Sequence, residues 1–178
     1  MIIAISGTPG VGKSEVAKLV GKKLGYKVVE INRLLNIPYG REKEVSVRDM
    51  NKKLSVALED NTIIVSHLSH FLKDHRIKTF FVLRCSPLVL AERLKKRNYS
   101  RKKAYDNVMF EAIDGEFLEA SRLHKNIIQL DNTKDIDKTV ESIVSFVKER
   151  KRPEVFDEDY SKYILSIEKT YKKQRSSA

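Results

Sequence analysis

An α/β fold, a parallel sheet covered by helices on both faces, is the architecture this sequence predicts. Three observations carry it. Short, continuously apolar runs alternate with longer amphipathic ones. A glycine-rich turn joins the first apolar run to the first amphipathic one. A chain of 178 residues is long enough for one compact core with a short appendage.

Residues 2–6, 26–30, 62–66, 78–83 and 127–130 are short, β-branched or aromatic, and bounded by charged or turn residues. That is the pattern of strands buried on both faces. Residues 13–24, 47–58, 87–97, 103–124 and 136–148 fill the intervals as predicted helices. Leu88, Leu90, Ala91 and Leu94 fall close to one helical face, as do Val140, Ile143, Val144 and Val147. Pro87 sits where a first helical turn tolerates proline. The polar stretch 32–46, with Pro38 and Gly40, reads as an excursion from the sheet. Lys151-Arg152-Pro153 closes the core, which divides the chain into residues 1–150 and an extension, 151–178. In the extension Tyr160, Tyr163, Ile164, Ile167 and Tyr171 recur at helical spacing. This stripe reads as a helix packing on its own core, with docking into a partner's groove as the other reading.

Lys and Arg total 35 against 24 Asp and Glu, a net charge of +11. Such an excess suits an anionic partner: a nucleotide, RNA or an acidic protein surface. A single cysteine, Cys85, excludes an internal disulfide and a multi-cysteine zinc site. No apolar run approaches the roughly 20 residues that span a bilayer. The opening residues lack the basic region of a signal peptide. A reducing, cytoplasmic setting without membrane contact is the expectation.

Gly7-Thr8-Pro9-Gly10-Val11-Gly12-Lys13-Ser14 matches G-x-x-x-x-G-K-[ST] at every fixed position, with a strand before it and a helix after it. Glycines let the backbone curl so that successive N–H groups face phosphate oxygens. The helix N-terminus adds favourable partial charge. Lys13 then reaches the outer phosphates, and the Ser14 hydroxyl ligates Mg²⁺. This predicts a nucleoside-triphosphate site with Mg²⁺.

A guanine-selective switch protein requires N-K-x-D, and Asn132-Thr133-Lys134-Asp135 has the wrong order. Small-molecule kinases or a compact regulatory ATPase remain. Such kinases carry arginines on a lid that stabilise charge in transit. Arg93, Lys95, Lys96, Arg97, Arg101, Lys102 and Lys103 form a basic cluster at that place in the chain; a solvated helix end or an RNA-contacting patch are its other readings. His70, His75 and His124 share no metal-ligand spacing.

Residues 1–150 resemble the small adenylate kinase/ATPase family of archaeal and eukaryotic nuclear proteins that act in late small-ribosomal-subunit maturation. The marks are the glycine loop, Phe81-Val82-Leu83-Arg84, and Leu94-Lys95-Lys96-Arg97-Asn98-Tyr99 continuing through Lys103 and Asn107 to Glu111. The resemblance implies a three-layer P-loop fold with strands ordered 2-3-1-4-5. It also implies a nucleoside-monophosphate segment near 30–50 and a short lid near 96–106. By position Gly10, Val11, Gly12, Lys13, Ser14 and Glu15 hold ATP, Arg97 is the lid arginine, and Lys134 flanks the adenine or is plain surface charge.

The family carries Asp-x-His at the end of its third strand. Here Val65-Ser66-His67 keeps the histidine and replaces the aspartate. A carboxylate there would position Mg²⁺ through water, which leaves Ser14, phosphates and water as its ligands. His67 is the candidate for orienting the acceptor nucleotide or an attacking water. Arg33 and Arg41 flank the excursion that would cradle an acceptor phosphate, or are simply solvated. Two functions follow from the resemblance. One is an adenylate kinase (ATP + AMP to 2 ADP) with ATPase activity, partnered by a small-subunit ribosomal protein and, directly or indirectly, rRNA. The other is an assembly factor whose nucleotide is a switch.

Overall fold

The computed structural model describes residues 1–36, 46–72 and 74–173. Its sheet has five strands: β1 (Ile2–Ser6), β2 (Lys27–Glu30), β3 (Thr62–Val65), β4 (Ile77–Arg84) and β5 (Ile127–Asp131). They are ordered β2-β3-β1-β4-β5, and every pairing is parallel. This is the predicted order.

Alternation along the strands divides the core in two. Ile3, Ile5, Ile63 and Phe81 face one side with Val16, Val20 and Ile143. Ile2, Ala4, Ile64 and Phe80 face the other with Met50 and Leu54. The first side is covered by α1 (Lys13–Leu24), α4 (Pro87–Lys96), α5 (Arg101–Ala112) and α7 (Ile136–Glu149). On the second side lie α2 (Ile31–Leu34) and α3 (Val47–Ala57). There Phe80 stacks on His124, which ends α6 (Gly115–Leu123).

The single helix predicted over 103–124 is two helices. Asp114 takes a left-handed conformation, φ 57°, which short polar side chains tolerate. Gly115 follows because a Cβ there would lie 2.3 Å from the Phe110 ring. The break turns α6 back across the sheet and delivers Glu116 to the glycine loop. Beyond α7, residues 160–163 form a 3₁₀ turn that leads into α8 (Ile164–Lys173). Tyr160 and Ile167 are buried at 4% and 3% exposure, so the predicted stripe packs on this chain's own core. The centre of the 32–46 excursion, Arg41 included, lies outside the described residues.

Candidate active site: the phosphate loop and its supports

Parallel strands place their C-terminal ends together, and the loop after β1 opens at that edge. Gly12 caps α1 at φ 105° with no side-chain hydrogen bond. The Glu15 amide donates to the Gly12 carbonyl at 3.1 Å, while the Lys13 and Ser14 amides, at the first two helical positions, suit an anion. A Cβ on Gly12 would lie 2.5 Å from Asn132 Nδ2. Asn132 in turn donates to the Val11 carbonyl at 2.7 Å, and Arg93 donates to the same carbonyl at 3.2 Å. Val11 itself is fully buried, so its part in the site is its backbone.

Lys13 folds over this loop. Its Nζ donates to the carbonyls of Gly7 and, at 3.0 Å, Thr8. Burial pulls its ammonium down to about 8, against the opposing pull of Glu116 and Glu111, while Arg97 adds to the lowering. The residues fit a polyphosphate: an under-solvated cation hydrogen-bonded to main-chain carbonyls, beside the N-terminus of a helix. Ser14 and Glu15 are exposed at the start of α1.

Below the loop lies a buried charged network. Glu116 accepts from Ser6 Oγ and from the Gly7 amide, the latter at 3.2 Å. Glu111, 1% exposed, accepts from Thr8 Oγ1 with one oxygen. Its other oxygen takes Arg84 Nε at 2.8 Å and the Cys85 amide at 3.1 Å. Arg84 also donates to the Glu111 carbonyl at 3.0 Å and to Asp114. Desolvation works against the Arg84 charge, but the Glu111 and Asp114 carboxylates more than offset it and raise its affinity for the proton. Burial pushes the Cys85 thiol up to about 12, so it is a core side chain rather than a nucleophile.

A cleft of about 310 Å³ runs from the loop to the turn after β5 and brings together the predicted Gly10, Gly12, Glu15, Arg97 and Lys134. Arg93, Asn132 and Ile136 complete it. Arg97 lies just past α4, on a turn where Asn98 is left-handed at φ 55°. Arg93 ties the two walls, donating to the Asn132 and Thr133 carbonyls at 3.0 and 2.8 Å.

Across the sheet edge, His67, the candidate for orienting an acceptor, is half-buried in the turn just beyond β3. Ser69 fastens that turn to β1 by donating to the Ile5 carbonyl at 3.3 Å. Val65 is 3% exposed and pairs in register with Glu30. Glu30 engages Arg33 at 3.1 Å, and that arginine is 77% exposed. Among the described residues no three His, Cys, Asp or Glu gather as a metal site. Mg²⁺ would thus depend on the Ser14 hydroxyl, nucleotide oxygens and water, a set that this ion accepts.

Sequence reasoning missed Glu116, placed Arg93 only within the basic cluster and Asn132 only within a failed guanine motif, and assigned no role to Arg84 and Glu111. One signal was available: an arginine ending a long, largely apolar strand demands a buried carboxylate.

A parallel 2-3-1-4-5 sheet with this loop at its C-terminal edge defines a P-loop nucleotide-binding protein of the kinase type. Residues 3–119 match a family model described as an AAA domain. A Pyrococcus abyssi protein named "Putative adenylate kinase" is 38% identical over 155 residues, covering 83% of this chain and 84% of that one. A Thermococcus onnurineus protein of the same name is 35% identical over 175 residues, covering 92% and 96%. The structure of Bacillus subtilis YorR in complex with phosphorylated GDP matches with a TM-score of 0.61 at 19% identity, covering 83% of this chain and 96% of that one. That last likeness shows the fold. The chain belongs to the family of these Pyrococcus and Thermococcus proteins and is a nucleotide kinase. No helix among the described residues is long and apolar enough to cross a membrane.

Proposed function

We propose that the protein is an adenylate kinase, transferring the γ-phosphoryl group of ATP to AMP and yielding two ADP. One observation carries this reading: Lys13, under-solvated, grips the carbonyls of its own loop, and Gly10 and Gly12 of that loop line a cleft with Arg97 and Lys134. Its relatives' names supply the adenine specificity. The triphosphate replaces the Gly7 and Thr8 carbonyls as partner of Lys13, and the first-turn amides of α1 receive phosphate oxygens. An oxygen of the AMP phosphate attacks the γ-phosphorus while the bond from that phosphorus to the β,γ-bridging oxygen breaks. Lys13 and Arg97 stabilise charge on the group in transit. Bound Mg²⁺, on Ser14, supplies further charge neutralisation. His67 orients the acceptor oxygen. With AMP absent, water in its place gives slow ATP hydrolysis.

Action in small-subunit maturation, through a small-subunit ribosomal protein and rRNA, is the wider setting suggested by the resemblance across residues 94–111. One feature favours the nucleotide-switch alternative. Val65 offers no carboxylate to the metal, which suits slow turnover and a long-lived ATP state. A coupled ADP assay across nucleoside monophosphates, with and without candidate small-subunit ribosomal proteins, ranks the two. ADP formation specific to AMP supports the kinase. No ADP from ATP plus AMP removes it, and release of a bound ribosomal protein by a non-hydrolysable ATP analogue then supports the switch.

A further inference from the structure

The segment after α7 touches the donor side of the cleft at three separate places. Phe156 and Tyr160 cover the Arg84 guanidinium, whose carbon lies 4.9 and 5.3 Å from their ring centroids. The two rings meet edge-on at 5.4 Å. The Tyr160 hydroxyl lies 3.5 Å from Thr133 Oγ1, on the turn that carries Lys134. Farther along, Tyr171 packs on Tyr105 at 5.2 Å and on the Arg101 guanidinium at 6.0 Å. Arg101 and Tyr105 belong to the helix that begins directly after the Arg97 turn.

Resting on the nucleotide-site reading above, we infer that residues 154–173 form a brace for ATP. Phe156 and Tyr160 are positioning residues that act through Arg84 and Glu111 on Thr8 of the phosphate loop. The physical chain is short. Two aromatic faces hold a guanidinium and keep water from it. Excluding water lowers the local dielectric and strengthens the Arg84–Glu111 pair. A fixed Glu111 holds Thr8 by its hydroxyl, and Thr8 fixes the curl whose amides meet the phosphates. Removing the aromatic cover admits water to Arg84, loosens Glu111 and lets the loop relax. Displacements well under 1 Å suffice to weaken binding of a rigid anion. The contacts of the brace described above fall on the phosphate loop's support, the Thr133 turn and α5, and Glu154 adds one to Lys138 of α7; all lie on the donor half, so its effect belongs to ATP and not to the acceptor.

The test uses the full chain and three variants: Phe156→Ala, Phe156→Tyr and Leu58→Ala. Leu58 lies in the other half of the core, and its truncation supplies a comparable or larger loss of thermal stability remote from the brace. Calorimetric titration with a β,γ-imido ATP analogue plus Mg²⁺, and separately with AMP, gives both affinities. The cation–π contribution predicts an analogue affinity about threefold to tenfold weaker in Phe156→Ala. AMP affinity should stay unchanged, Phe156→Tyr should restore the wild-type value, and Leu58→Ala should leave both affinities intact. Wild-type affinity for the analogue in Phe156→Ala overturns the brace, as does equal weakening in Leu58→Ala. A wild-type chain that binds no analogue overturns the nucleotide-site reading itself, and the brace with it.

Discussion

The two halves of the cleft are built to different standards. On the donor side Arg84 and Glu111 are each 1% exposed and every arm of the guanidinium is engaged. On the acceptor side the corresponding ion pair, Arg33–Glu30, has its arginine 77% exposed. A buried fork fixes geometry as firmly as the core around it, because an uncompensated buried charge is far more costly than a lost surface pair. The donor half is therefore preorganised for a polyanion before any nucleotide arrives. The acceptor half has no comparable anchor among the described residues, and its order depends more on the substrate.

The largest break of that contrast is at the loop. Lys13→Met removes the cation that faces the outer phosphates, and ATP turnover should fall roughly 100-fold to 1000-fold in a coupled ADP assay. The fold should persist, because among the described residues the side chain anchors to loop carbonyls. Glu111→Gln comes next. It leaves Arg84 with a buried, incompletely compensated charge, and unfolding in urea should show a loss of about 3 kcal/mol. The matching change on the acceptor side, Glu30→Gln, should cost no more than about 1 kcal/mol. Equal losses at the two positions would erase the contrast.

A third prediction uses pH. Burial holds the nucleotide-free Lys13 at about 8, below its ordinary 10.5, while phosphate favours the charged form. ATP binding should therefore take up a proton between pH 8 and 9, and affinity should fall as pH rises through 8. The sign for folding is the opposite. The cost of a buried ammonium is fully present below pH 8 and is relieved as pH climbs toward 10.5, so this residue's contribution to stability improves across that window. Titrations in buffers of different ionisation enthalpy measure the uptake, and Lys13→Met should abolish it.

The same asymmetry explains what could be read from the chain. The strands and the loop were legible because their signals are local: apolar runs of fixed length and glycines at fixed spacing; the sheet order followed from the family resemblance and from no local signal. Gly10, Gly12, Glu15, Arg97 and Lys134 line one cleft. The supports were not legible. Glu111 reaches Thr8 across 103 residues, and Glu116 reaches Ser6 across 110. Periodicity carries no information about pairs that distant. The long helix over 103–124 failed for a related reason. Only the Phe110 ring against Gly115 and the left-handed Asp114 reveal that the chain turns there.

The smallest effect tests whether the acceptor side lacks a carboxylate for function or merely for packing. Val65 is nearly buried and pairs with Ile5 on one side and Glu30 on the other. Val65→Asp places a charge at the strand end nearest the phosphate loop. Without metal it is a buried carboxylate with no assigned partner, and thermal stability should drop. With Mg²⁺ and the imido analogue part of that loss should return, because a water on the metal can donate a hydrogen bond to the new carboxylate. The expected readout is a metal-dependent rise in melting temperature larger in Val65→Asp than in the wild type, with Mg²⁺ half-saturation shifted down by about threefold, equivalent to about 0.7 kcal/mol. An identical Mg²⁺ dependence in both chains would mean that the metal sits beyond reach of this strand, held by Ser14 and the nucleotide without help from β3.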